Sequence, residues 1–202
     1  VVLCCGPAGA REWGATRREL EASGIRVVRL EGLPLAAECR APNGTPGCGP
    51  ALYLSNLIRH AVEALHRAHR FDVVVFPCWQ ALGFRSVQAK RAGTAFGDVN
   101  LVVRLDCIDQ WMREAEKRWP TAEDLFLDYC ERYTFENADR RVVVSEYLVG
   151  EARRFGWEGC PLPHLPREGE DAAELVFGGM DRRRTLDDLA EAGRVAVFCE
   201  PC

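Results

Sequence analysis

Lysine is nearly absent from this chain of 202 residues: of its 26 basic residues only Lys90 and Lys117 are lysines, and the rest are arginine. A preference so uniform reflects coding bias rather than arginine chemistry, so no function is read from it. Excess positive charge is lacking as well, since 30 acidic residues bring the formal net charge to −4 and the isoelectric point to about 5.7. That excludes the strong positive field by which nucleic-acid binders hold phosphate, and no nucleic-acid partner is expected. No apolar run approaches the roughly 18 residues that cross a bilayer, and no charged-then-apolar leader is found. Walker lysine, GxSxG and GxGxxG motifs are all missing, which removes motif support for NTPase, hydrolase and dinucleotide readings. Histidines number only 4. His60, His66 and His69 fall mostly off the apolar stripe of a predicted helix, among arginines, and read as solvated surface residues rather than a metal site.

What is present describes an ordinary globular protein, with 48% apolar and 28% charged residues. A chain of this size can bury about 70% of its unfolded surface, so its core needs no staples. Its 10 cysteines are diluted over a long sequence, which suggests a reducing, cytoplasmic setting in which cysteine acts as a small buried hydrophobe. Val1-Val-Leu-Cys-Cys5 fits that use. Cys199-Glu-Pro-Cys202 is the only metal-like spacing, and without a second pair or a nearby histidine it is weak support for zinc, so no metal is assigned.

Short β-branched runs alternate with helical patterns, the signature of a parallel sheet covered by helices. Strands are predicted at Val1 to Cys5, Ile25 to Leu30, Asp72 to Phe76, Asn100 to Leu105 and Arg141 to Val144. Helices are predicted from about Arg11 to Ser23, Ala51 to His69, Gln80 to Ala92, Asp109 to Arg118, Ala122 to Ala138 and Glu146 to Phe155. In the long one Leu54, Leu57, Ile58, Ala61, Val62 and Leu65 follow the i, i+3, i+4, i+7 rule. Pro120-Thr121-Ala-Glu-Asp124 carries a capping box, after which Leu125, Phe126, Tyr129, Cys130 and Tyr133 share one face and predict a firmly docked helix. Residues 31–50 read as a long surface loop rich in proline and glycine. Residues 158–173 read as a linker, and residues 174–202 as a further strand-helix-strand unit, with strands at Glu174 to Gly178 and Arg194 to Cys199.

In open parallel sheets ligands bind beyond the carboxyl ends of the strands. The residues expected there include Trp79, Asp106, Asp109, Ser145, Glu146, Gly178, Gly179 and Arg184. Acids, an aromatic, a hydroxyl and arginine suit a small polar ligand such as a sugar, because carboxylates accept hydroxyl hydrogen bonds and an aromatic face stacks on the ring. Ser145 reads equally well as a helix N-cap, Glu146 as a first-turn acid and Trp79 as a packing residue.

One constellation is more specific. Phe71-Asp-Val-Val-Val-Phe-Pro-Cys-Trp79, Ala89-Lys90-Arg91-Ala92-Gly93, Leu101-Val-Val-Arg-Leu105, Glu131, and Asn137-Ala-Asp-Arg-Arg-Val-Val-Val-Ser145 with Phe155-Gly156-Trp157 resemble the amino-terminal domain of family-4 glycosyltransferases of the GT-B fold. The likeness is close over residues 70–157 and looser over residues 1–69. It implies a Rossmann-like, doubly wound parallel sheet in residues 1–157, beginning on what resembles the family's second strand. Leu175-Val-Phe-Gly-Gly-Met-Asp-Arg-Arg-Arg-Thr-Leu186 resembles the segment opening the donor-binding domain, which places the start of that domain at residues 174–202.

The resemblance implies transfer of a sugar from a nucleotide diphosphate sugar to an acceptor hydroxyl, with retention of configuration and with no cofactor or obligatory metal. Arg184 and Gly179 fall where the family holds the diphosphate with basic side chains, and Thr185 where it has a glycine. Asp106 falls at the histidine that contacts the transferred sugar, with Trp111 still in step. A bare carboxylate there would repel a diphosphate by roughly 3 kcal/mol per charge pair at about 6 Å and an effective dielectric of about 20. The family's later glutamate pair is not reached before Cys202. These departures leave two readings: an incomplete transferase that is inactive alone and needs a partner supplying the remaining domain, or a degenerate, non-catalytic interaction module. An unrelated flavodoxin-like fold would share the alternation without accounting for residues 131–157.

Overall fold

In the computed structural model the described residues are 2–4, 18, 21–22, 26–33, 49–143, 145–157 and 195–199. Six strands, β1 (Val2–Cys4), β2 (Val27–Arg29), β3 (Val73–Pro77), β4 (Asn100–Leu105), β5 (Arg140–Val143) and β6 (Val195–Cys199), form one sheet in the order β2-β1-β6-β3-β4-β5. Every neighbouring pair is parallel. Five helices have defined ends: α1 (Pro50–His69), α2 (Phe84–Arg91), α3 (Asp109–Ala115), α4 (Ala122–Asn137) and α5 (Glu146–Arg154). Arg18, Glu21 and Ala22 are helical too, inside the span expected for the first helix. The fold is the α/β parallel sheet that the alternation predicts, Rossmann-like as the resemblance implies.

The core follows from composition at the strands. Val74, Val75 and Phe76 of β3 and Leu101, Val102 and Val103 of β4 are all buried, because helices cover both faces and a two-sided strand has no use for alternation. Helix α1 closes one face with Ile58, Ala61, Val62 and Leu65, the 3.6-residue stripe read from the sequence. Gly83 precedes α2 where a Cβ would lie 2.8 Å from Cγ of the buried Phe76, so only glycine lets the chain pass that close to β3.

The structure revises several expectations. Strand β6 was assigned to the start of a second domain, yet it pairs with β1 through Val2↔Val197 and with β3 through Val75↔Val197 in the same sheet. An all-apolar Val-Ala-Val-Phe run suits a strand with both edges paired. The helix expected from Gln80 begins only at Phe84, because a 3-10 turn at Trp79–Ala81 places Gln80 and Ala81 in left-handed backbone, at φ 57° and 50°. Helix α3 stops at Ala115, short of Arg118, and Lys117 adopts φ 54° just beyond it.

His66 is buried rather than solvated. Its Nδ1 accepts the Phe71 backbone N–H at 3.1 Å, which leaves Nε2 to donate to Asp98 at 3.0 Å. Helix α4 docks through Cys130, Glu131, Thr134 and Phe135, whereas Leu125, Phe126 and Tyr129 are largely exposed. The Phe126 and Tyr129 rings stack on each other at 6.3 Å instead. The proposed linker, residues 158–173, and the strand at Glu174 to Gly178 lie outside the described residues.

Candidate active site

Parallel strands deliver all their carboxyl ends to one edge, so the tips of β3, β4 and β5 come together there. Past β3 the backbone turns through Cys78, whose N–H donates to the Arg104 carbonyl of β4 at 2.7 Å. Trp79 follows, half-buried, with its indole Nε1 occluded and without a hydrogen-bond partner among the described residues. Gln80 and Ala81 hold left-handed conformations that cost non-glycine residues about 1–2 kcal/mol each.

Past β4 comes Asp106, whose side chain is 10% exposed. Arg104 donates to its Oδ2 through Nε at 3.0 Å and Nη2 at 2.5 Å, and Oδ1 accepts the Cys107 N–H at 3.1 Å. The carboxylate is therefore not bare. Its charge is balanced by a guanidinium on its own strand, so the repulsion expected for a diphosphate is largely cancelled, while the carboxylate keeps acceptor capacity for a hydroxyl. Arg104 was missed in the sequence. Its i, i+2 relation to Asp106, which puts both on one face of an extended segment, is the signal that could have found it.

Asp109 opens α3. Its Oδ2 accepts from Arg113 at 2.8 Å, and Arg113 also reaches Asp128 at 2.5 Å and Asp124 at 3.9 Å. Burial pushes the Asp109 carboxyl above its usual range, against the pull of Arg113. This acidic cluster thus surrounds a buried arginine. The structure directs the Asp109 carboxylate into the α3–α4 contact.

Past β5, Ser145 caps α5: its Oγ accepts the Leu148 N–H at 3.3 Å. Glu146 is exposed in the first turn, and the neighbouring Tyr147 meets Trp111 of α3 edge-on at 6.0 Å. Tips β3, β4 and β5 thus bring Trp79, Asp106, Asp109, Ser145 and Glu146 to the same edge. Gly178, Gly179 and Arg184 lie outside the described residues.

The opposite edge explains another part of the sequence. Lys90 donates to Asp139 Oδ2 at 2.6 Å and to the Val99 carbonyl at 2.5 Å, while the same carboxylate accepts the Leu101 N–H at 2.7 Å. Ala89-Lys90 and Ala138-Asp139 therefore latch α2 and the starts of β4 and β5 together, away from any chemistry.

The model of the glycosyl transferase 4-like domain matches residues 1–166. The chain belongs to that family. No curated protein and no solved structure matches it. At the carboxyl edge the β4 tip holds two charged groups, the Arg104–Asp106 pair and the cluster around Arg113. Among the described residues no helix is long and apolar enough to cross a membrane.

Proposed function

We propose that this glycosyltransferase-like domain binds the sugar of a nucleotide diphosphate sugar at its carboxyl edge, for transfer to an acceptor hydroxyl with retention of configuration. The observation that carries the reading is the charge-balanced Asp106, held by Arg104 at the tip of β4 with little of its side chain exposed. A carboxylate fixed in this way accepts hydroxyl hydrogen bonds without carrying net charge toward a diphosphate. The unpartnered Trp79 indole N–H supports the reading, because a buried donor without an acceptor costs about 1–3 kcal/mol, which a ligand oxygen or a small loop movement would recover. Trp111 and Tyr147 supply aromatic surface at the same edge, beside Ser145 and Glu146.

In this reading Arg184, with the backbone at Gly178 and Gly179, contacts the diphosphate, and no cofactor or metal is required. A partner or further domain supplies the other half of the cleft. A reducing, cytoplasmic setting, in which the buried Cys78 and Cys130 act as small hydrophobes, belongs to the same reading. The 202-residue chain alone is expected to bind weakly and not to turn over. The Gly179 and Thr185 positions, where the family has a basic side chain and a glycine, favour a second reading as a non-catalytic module.

Binding and hydrolysis of UDP-glucose, GDP-mannose and ADP-glucose by the purified protein test this. The expected result is weak binding of one donor without turnover, reduced about tenfold in Asp106→Ala, as loss of one charge-assisted hydrogen bond would give. Turnover by the chain alone would contradict its inactivity. Binding unaffected by Asp106→Ala would remove the sugar contact.

A further inference from the structure

Glu131 has no part in the sugar contacts above, yet it is 1% exposed and lies directly behind them. Its two carboxyl oxygens are divided between the two strand-tip loops. Oε1 accepts the backbone N–H of Gln80, in the turn after β3, at 2.7 Å. Oε2 accepts the backbone N–H of Asp109, the first residue of α3 after β4, at 2.9 Å. From the same residue the backbone carbonyl accepts the Cys78 thiol at 3.7 Å. One α4 residue is thus bonded to both loops that deliver the candidate sugar contacts.

We propose that Glu131 is the positioning residue of the site: its buried carboxyl group clamps the β3 tip bearing Trp79 to the β4 tip bearing Asp106 and sets the spacing at which both meet a sugar. The inference rests on the sugar-binding reading of that edge. Three observations support it. The amide that Oε1 receives belongs to Gln80, whose left-handed backbone (φ 57°) persists only where the surroundings hold it. Only a carboxylate offers two acceptor atoms at this spacing, because an amide has one acceptor and one donor group.

The third observation is energetic. Burial, with lesser contributions from nearby Asp109 and Asp128, pushes the Glu131 carboxyl well above the ordinary range, although the two amides pull it down. A raised carboxyl pKa in the folded state means that stability is lost as pH climbs from the unfolded value to the folded one. Glu131 therefore lowers stability at neutral pH relative to an uncharged side chain, which fits a residue kept for geometry rather than for folding.

Glu131→Gln tests the clamp independently of the ligand. The variant is expected to fold with an equal or higher melting temperature at pH 7. Hydrogen exchange should quicken about tenfold at whichever of the Gln80 and Asp109 amides faces the new side-chain NH2, as loss of one such bond would give, while Val102 and Val103 in β4 stay protected. In the unmodified protein the ¹⁵N shifts of Gln80 and Asp109 should titrate together with one midpoint above the usual carboxylate range, a titration absent from the variant. Unchanged exchange at both amides, or no shared titration in the unmodified protein, would overturn the proposal, and the second measurement needs no variant to fold.

With UDP-glucose, GDP-mannose and ADP-glucose as probes, Glu131→Gln should weaken whichever donor binds by about tenfold. Loosened amides with unchanged affinity would also overturn it. Failure of the unmodified protein to bind any of the three, with the shared titration present, would count against the sugar reading and leave the clamp standing.

Discussion

Lys90 and Asp139 lie at the edge of the sheet away from the strand tips, and their ion pair is only partly exposed. Lys90→Ala would strand a carboxylate that also holds the Leu101 amide, so a loss of about 1–3 kcal/mol is expected in urea unfolding, with unchanged ligand affinity. Loss of binding at unchanged stability would contradict that division of labour. These residues helped to identify the family from sequence, but their role could not be read there, because the latch joins residues far apart in the chain. His66 shows the opposite failure. Ile58, Val62 and His66 follow one another at a spacing of four, which places the histidine on the buried face, yet its chemical type and arginine neighbours suggested water. The Phe71 N–H and Asp98 satisfy its ring and make burial affordable. Asp106 was legible as a strand-tip acid, whereas its neutralisation by Arg104 needed the side-chain geometry.

Among the elements, α4 shows how far a local signal reaches. Its start is fully local and was legible: Thr121 Oγ1 accepts the Asp124 N–H, and the Asp124 carboxylate accepts the Thr121 N–H at 2.7 Å. Those bonds from Thr121, with Arg118 alongside, hold the Asp124 carboxyl down at about 2. A depressed carboxyl pKa contributes stability above its unfolded value and loses it as pH falls toward the folded one. Unfolding measured from pH 4 down to pH 2 should therefore show the stabilisation from Asp124 lost progressively across that window. Thr121→Ala should cost about 1 kcal/mol at pH 7 and shrink the acid loss, because the Asp124 carboxyl then titrates closer to its unfolded range, and an unchanged acid profile would show that the box does not set the titration. The helix's docked face was legible in part: Cys130 is buried and Tyr133 packs on the core as expected, but Leu125, Phe126 and Tyr129 stay exposed, while the buried positions include a carboxylate and a threonine.

For the whole molecule, the sheet order places β6 between β1 and β3, so β1 and β2 join the rest of the sheet through β6. Parallel strands distant in sequence leave no local trace of their neighbours, which is why the fold class was legible from alternation and the place of residues 195–199 was not. Val197 pairs with Val2 on one side and Val75 on the other. Val197→Pro removes a ladder N–H at the centre of the sheet and leaves its acceptor unpaired, which should cost about 1–3 kcal/mol, with amide protection lost in β1 and β2. Unchanged protection there would show that β6 does not bridge the sheet in solution.

The claim that the carboxyl edge binds a sugar donor is tested most directly by amide shift mapping of the whole chain during titration with UDP-glucose, GDP-mannose and ADP-glucose. The account predicts that one donor shifts the amides of Trp79, Gln80, Asp106, Cys107 and Tyr147 in a single saturable process, while Asp98 and Asp139 at the far edge stay fixed. Shifts confined to that far edge, or none with any of the three donors, would contradict it.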